Sequence, residues 1–203
     1  YLPTFNSHVI EAFFHKIKGI SENFIYFNDD VFVAREIEKE HFFKKNGLSS
    51  AFFSAKKFDT SLVSPTAIAS RNSKALIDNY FGCFINGYFV HTYFPLKKSV
   101  YEFAWKEFPN EIEAFLGNKF RGINDLNLAT FFVPWISFLT KNSCQSYDVC
   151  YYFNHRSAAA EKYWEFLKQK DSLPHSFCAN DFNAKNDLGS SEILEKKLKE
   201  FFS

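Results

Sequence analysis

Phenylalanine fills 28 of the 203 positions, joined by 10 tyrosines and 3 tryptophans. Rings in that number have to be packed into a core along nearly the whole chain, so their spacing dictates the elements. Ile10, Phe13, Phe14 and Ile17 share one face at helical spacing, with Ser7 as the expected cap and Gly19 as the stop. Phe24 to Phe27 reads as a short buried strand, followed at once by Asn28, Asp29 and Asp30. A helix is expected from Glu36 to Lys45, ended by Asn46-Gly47, and a strand from Ala51 to Ser54. Pro65 opens a helix to about Tyr80, and Asn86-Gly87 between apolar residues signals a hairpin over Phe84 to His91. Pro95 starts a helix bearing Val100, Phe103, Ala104 and Phe108, and an amphipathic stretch follows from Asp125 to Leu139. Ser157 to Lys168 reads as a helix, Ser176 to Ala179 as a strand end, and Ser190 to Phe202 as a terminal amphipathic helix. Strands alternating with helices predict an α/β fold with a small, mostly parallel sheet and a dominant helical layer. The length suits a single domain over residues 1–203, with no clear internal boundary.

Charge narrows the function. The chain carries 24 Lys+Arg against 23 Asp+Glu, leaving no basic excess with which to neutralise a nucleic-acid backbone. Cys83, Cys144, Cys150 and Cys178 show no zinc-ribbon spacing and read as reduced thiols. No apolar run reaches the roughly 18 residues of a membrane span; the longest, Leu126 to Leu139, is interrupted by Asn127 and Pro134. The sequence holds no methionine, from which a trimmed or processed N-terminus is expected. A glycine-rich phosphate loop and a Ser-His-Asp elbow are both missing from the sequence.

Four places can carry chemistry. Asp29 and Asp30 follow a strand, where open α/β sheets bind ligands, and paired carboxylates attract a cation or share a proton. A polar turn with Asp30 capping the next segment is the plain alternative. His91 follows the strand-like Tyr88-Phe89-Val90 and could act as a general base, or be a structural histidine. Arg121 lies in a loop before a helix, a position that suits phosphate or, equally, a surface pair with Asp125. Cys178-Ala179-Asn180-Asp181 is again a strand end with a polar pair, its thiol reading as buried filler rather than nucleophile.

Leu2-Pro3-Thr4-Phe5-Asn6-Ser7-His8-Val9-Ile10-Glu11, then His15-Lys16-Ile17, Gly19-Ile20-Ser21-Glu22 and Asn28-Asp29-Asp30-Val31-Phe32 together resemble the second signature block of the Stealth proteins. These comprise bacterial capsular polysaccharide phosphotransferases and the catalytic subunit of the animal lysosomal-enzyme N-acetylglucosamine-1-phosphotransferase. His91 through Pro95, the helix with Trp105, Phe108-Pro109, and Arg121 with Asp125 resemble the third block, although Tyr93 stands where members often carry proline. Phe177-Cys178-Ala179-Asn180-Asp181 and the helix ending in Phe201-Phe202 resemble the fourth. The family's first block, a strand motif that helps hold the nucleotide sugar, would lie before Leu2.

The resemblance implies transfer of a hexose-1-phosphate, N-acetylhexosamine-1-phosphate above all, from a UDP-sugar to a hydroxyl of a capsular glycan or exopolysaccharide. It implies Mg2+ (or Mn2+) at Asp29 and Asp30, with Asp30 alternatively taking the acceptor proton. His91 is then the general base and Arg121 the ligand of the transferred phosphate. Asn180 and Asp181 complete the pocket wall, and Asn6, His15, Asn28 and Asp125 are further substrate-binding candidates. The expected setting is the bacterial cytoplasm or the inner face of its membrane, in a capsule complex or as a homodimer. Two rival readings are a metal-dependent phosphohydrolase and a non-catalytic glycan-binding remnant.

Overall fold

The protein is described from a computed structural model that covers residues 2–169, 172–181 and 189–203. In chain order come helix α1 (Ser7–Glu11), strands β1 (Asn23–Tyr26) and β2 (Val31–Val33), helix α2 (Lys39–Phe42), strand β3 (Ser49–Phe52) and helix α3 (Pro65–Phe81). They are followed by β4 (Phe94–Lys97), α4 (Lys98–Glu107), α5 (Pro109–Glu113), a π-helical turn over Leu128–Phe132, and α6 (Val133–Leu139). The remainder is β5 (Ser143–Ser146), β6 (Cys150–Asn154), α7 (Ala160–Leu167), β7 (Ser176–Asn180) and α8 (Gly189–Phe202). The class is α/β, with small sheets: β3–β5 and β6–β7 pair in parallel, β1–β4 and β2–β7 antiparallel. No helix among the described residues is long and apolar enough to cross a membrane.

The chain divides into two compact units. The first takes the chain up to Tyr26, Glu38–Phe89 and Phe94–Tyr147; the second takes Phe27–Ile37, Val90–Tyr93 and everything from Asp148 on. In the first unit the aromatic residues do what their number demands. Tyr101, Phe115, Phe131 and Phe132 are fully buried with Leu116, Leu128 and Ile136, and Phe53 meets Phe89, Trp135 and Phe138 ring to ring. Burying each such ring contributes about 1.5–3 kcal/mol, with about 0.5–1.5 more for a well-set ring pair. Helix α3 keeps the boundaries expected of it, because Ser64 accepts from the Ala67 amide at 3.3 Å, Pro65 fits the first turn, and Gly82 closes it at φ 61°.

Elsewhere in this unit tertiary partners overrule local signals. Asn6, not Ser7, caps α1 by accepting from the His8 amide. The helix stops at Glu11, and Ile10 and Ile17 are left more than half exposed while His8, Val9, Glu11 and Ala12 go inward. The Phe24 strand is half-exposed along β1 rather than buried. Pro95 opens no helix: it lies in β4 opposite Ile25, on a strand with one ladder partner, where a missing N–H is tolerated. The Asn86-Gly87 hairpin does not form, because Tyr88 accepts from Ser54 and Phe89 bridges Phe53, so the strand-like residues pair with the end of β3 instead of each other. The helix expected over Glu36 to Lys45 shrinks to α2, after which Phe43 returns to extended backbone and bridges Ser49.

In the second unit β7 is the middle strand of the order β2-β7-β6. Its sequence alternates Ser176-Phe177-Cys178-Ala179-Asn180, and the two-residue period of a strand separates two sets of side chains. Phe177 and Ala179 join Phe153, Ala160, Trp164 and Leu167 in the second core. Ser176, Cys178 and Asn180 carry the polar contacts described next.

Candidate active site

Asp30 immediately precedes β2, and the antiparallel ladder holds its backbone, with Ala179 N–H donating to the Asp30 carbonyl at 3.1 Å. That register delivers the Asp30 carboxylate to the polar face of β7. Its Oδ2 accepts from Asn180 Nδ2 at 2.6 Å and from Cys178 Sγ at 3.1 Å. Oδ1 faces His91 Nε2 at 3.4 Å, and the Asn28 amide lies 3.4 Å from the same nitrogen. Burial alone would raise the Asp30 carboxyl, but the hydrogen bonds from His91, Cys178 and Asn180, with the charge of His91, outweigh it and hold it below the ordinary carboxylate range.

His91 is held by its neighbours in sequence. Thr92 Oγ1 and Ser176 Oγ hydrogen-bond at 2.6 Å, and Tyr93 donates to Asp148 Oδ2 at 2.5 Å, both buried. Tyr93 is therefore a buried side chain anchored at its tip. The imidazole stands edge-on to Tyr152, 5.4 Å between centroids. In the neutral tautomer whose Nε2–H points at Asp30, Nδ1 carries the lone pair; it makes no hydrogen bond among the described residues, and the side chain is 39% exposed. Such a dyad can accept a proton from an incoming hydroxyl and hold the resulting imidazolium against a carboxylate. Separations of 3.4 Å are long, as catalytic hydrogen bonds commonly are before substrate arrives.

The arrangement sorts the residues singled out from the sequence. Asn28, Asp30, His91 and Asn180 converge. Asp29 is exposed and makes no hydrogen bond or ion pair among the described residues. Asp181 is engaged by Arg156 in a two-point ion pair, with Nη2 to Oδ2 at 3.1 Å. Two contributors escaped the sequence reading. Arg156 had no signal. Cys178 had one, because a strand brings residues two apart to one face and so groups Cys178 with Asn180.

Asp30, His91 and Cys178 each offer one ligand atom, all within 4.8 Å of one another, a group that could hold a metal ion. It does not suit Mg2+ or Mn2+, which favour oxygen ligands; here nitrogen and sulfur join one carboxylate, and Asp29 lies outside the group.

The first unit holds a separate polar cluster. Asp125 is fully buried and accepts from Asn6 Nδ2 at 2.8 Å, His8 Nδ1 at 2.9 Å and Asn118 Nδ2 at 2.7 Å. Burial lowers the His8 pKa, against the hydrogen bond to Asp125. Asn6 and Asp125 thus spend their polar atoms on each other and on the chain. His15 is buried against Tyr101 and Trp105 with neither ring nitrogen bonded among the described residues, and burial pushes it down to about 4. Arg121 is exposed and donates to the hydroxyls of Thr66 at 3.0 Å and Ser7 at 3.1 Å, so the Asp125 surface pair does not form.

Beside these, Glu11 is buried, with Oε1 accepting from Tyr26 at 3.2 Å. Burial pushes its carboxyl up to about 7. The folded protein holds this proton more tightly than the unfolded chain, so the contribution is complete below the ordinary glutamate pKa and is lost as pH rises to about 7. Glu11→Gln is expected to match the parent protein near pH 4 and to exceed it at pH 8 by roughly 3 kcal/mol. Thermal midpoints across pH check this; a difference that does not vary with pH would refute it.

Comparison with known proteins places these residues in a family. Residues 1–51 match Stealth protein CR2, conserved region 2. A capsular polysaccharide phosphotransferase of Aeromonas hydrophila is 52% identical over 100% of this chain and 58% of its own length. One from Haemophilus influenzae is 53% identical over 92% of this chain and 54% of its own length, and an exopolysaccharide phosphotransferase of Streptomyces coelicolor is 35% identical over 75% and 17%. The chain thus spans a little over half the length of the first two relatives. With region 2 covering its first quarter and half its residues shared along nearly all of its length, the chain belongs to the Stealth family.

Proposed function

We propose that the complete protein transfers a hexose-1-phosphate from a UDP-sugar to a hydroxyl of a capsular glycan, forming a phosphodiester. The observation that carries this reading is the Asp30–His91 pair. Asp30, fastened by Asn180 and Cys178, holds the imidazole by Nε2; Nδ1 takes the acceptor hydroxyl's proton as its oxygen attacks phosphorus and UMP departs. Asn180 orients the dyad through Asp30, and Asn28 lies beside the Nε2 edge of the ring. The names of the relatives, capsular polysaccharide phosphotransferases, support the same reaction class. Mg2+ (or Mn2+) arriving on the donor's phosphates would have the exposed Asp29 as its carboxylate and would neutralise phosphate charge. Assay of the full-length protein with a panel of UDP-sugars and capsule oligosaccharides tests the reading. The expected products are UMP and a phosphodiester-linked glycan; release of free sugar phosphate irrespective of acceptor would instead make it a hydrolase.

In the first unit, Arg121 is proposed to bind a phosphate. Its guanidinium is steadied by two neutral hydroxyls and has no carboxylate partner among the described residues, leaving its charge for an anion. Lysine cannot reproduce a planar two-point contact. Arg121→Lys is therefore expected to lower turnover at least about tenfold while changing stability by less than about 0.5 kcal/mol. Steady-state kinetics with a thermal melt decides, and undiminished turnover would make Arg121 an ordinary surface charge.

A further inference from the structure

We propose that Asp30, His91 and Cys178 form a binding site for a thiophilic divalent cation of the zinc class, and that its occupation stops transfer. The second half rests on the reading of His91 as the base. Three observations carry the first half. The donor set of one carboxylate, one imidazole and one thiol is poor for Mg2+ and suits Zn2+ or Co2+. The spacing also fits: metal–ligand distances of about 2.0–2.3 Å in a tetrahedron set neighbouring ligand atoms about 3.3–3.8 Å apart. Here Asp30 Oδ1 to His91 Nε2 is 3.4 Å, Asp30 Oδ2 to Cys178 Sγ is 3.1 Å, and one ligand atom from each residue lies within 4.8 Å of the other two, so side-chain shifts on the order of 1 Å bring the three donors onto one ion. Finally, the donors are already held. Cys178 is fixed within the β7 ladder, the Asp30 backbone is tied to Ala179, and His91 is flanked by the anchored Thr92 and Tyr93. A partly exposed His91 side chain leaves an entry from solvent and a fourth position for water.

Binding is a simple exchange. The Cys178 S–H bond breaks, its proton goes to solvent, and a metal–thiolate bond replaces the hydrogen bond to Asp30, with no change in oxidation state. His91 Nε2 gives up its proton while Nδ1 takes one from solvent, so the freed Nε2 lone pair becomes a ligand, Nδ1 no longer carries one, and the dyad ceases to exist.

The test is titration of the full-length protein with Co2+, followed by near-ultraviolet absorption. A cobalt–thiolate charge-transfer band saturating at one equivalent and displaced by Zn2+ is expected. Cys150→Ser, which alters the neighbouring strand's thiol, should keep the band; Cys178→Ser should lose it. His91→Ala should weaken Co2+ binding at least about tenfold, the scale of losing even an outer-shell partner, and keeps the test open if Cys178→Ser fails to fold. Absence of the band in the parent protein, or its persistence in folded Cys178→Ser, overturns the site. Zn2+ at saturation should abolish transfer, with recovery on chelation. A full band with unimpaired transfer would overturn the blockade, and with it His91 as base, while leaving the site in place. Loss of transfer without a band would put the inhibitory ion elsewhere and overturn the proposal.

Discussion

His91→Ala in the full-length protein is expected to slow the transfer step by about 10²–10⁴-fold, the range a positioned general base supplies, and to leave donor affinity within about threefold, since the base acts on the acceptor's proton and not on the nucleotide. The structure gives the reason for the size of the effect. Among the described residues, His91 supplies the imidazole that faces the Asp30 carboxylate, and none of them bonds to its Nδ1. Single-turnover transfer paired with calorimetry of UDP-sugar binding checks both halves. If donor binding collapses together with transfer, His91 is a donor ligand or a structural residue. Proton abstraction would then fall to Asp30. Asp30→Asn provides the companion measurement: it keeps the shape of the side chain but removes the charge that steadies an imidazolium, so transfer should fall steeply here too.

The second large effect concerns the fold. Asp125→Ala is expected to destabilise the protein by about 3–5 kcal/mol, because it takes their shared acceptor from the buried Asn6 and His8 donors and the half-buried Asn118 donor. Against a typical total of about 5–15 kcal/mol, that loss brings the protein close to unfolding at room temperature. Asp125→Asn should cost somewhat less, as its amide oxygen can still accept from one of the three. Urea unfolding measures both, with an unchanged m-value required for the comparison. A loss below about 1 kcal/mol in Asp125→Ala would mean that the cluster relaxes onto water and that Asp125 is free for a substrate role. Because three donors converge on one carboxylate from α1, its cap and the Asn118 loop, the same variant should also loosen the segment that carries Arg121.

Much of the candidate site was legible in the residues, for reasons that can be named. Asn28-Asp29-Asp30 and His91 stand out because polar side chains interrupt strongly apolar runs, and that contrast survives whatever the chain's neighbours do. The α3 boundaries were equally readable, since Ser64, Pro65 and Gly82 act within one turn of the residues they cap. Local chemistry of this kind needs no distant partner.

Which of two adjacent aspartates meets His91 could not be read in the same way. Asp29 and Asp30 differ only in the face that the β2 register assigns them, and that register is set by β7, about 150 positions later in the chain. The roles of Asn6 and Asp125 likewise depended on each other across 119 positions: either residue alone reads as a free polar group, and only burial together turns them into a structural lock. The division into two units was invisible because each is assembled from separate stretches, so no composition shift marks a border. Pro95 and Asn86-Gly87 misled for a related reason: both signals are local preferences of about 1 kcal/mol or less, and pairing with β1 and with the end of β3 outweighs them. What the sequence by itself determined was the class of elements, the aromatic core and the residues able to do chemistry. The tertiary structure alone decided which of those residues meet, because the contacts that bring Asp30, His91 and Cys178 together are made between strands and segments far apart in the chain, each too short to hold its shape alone.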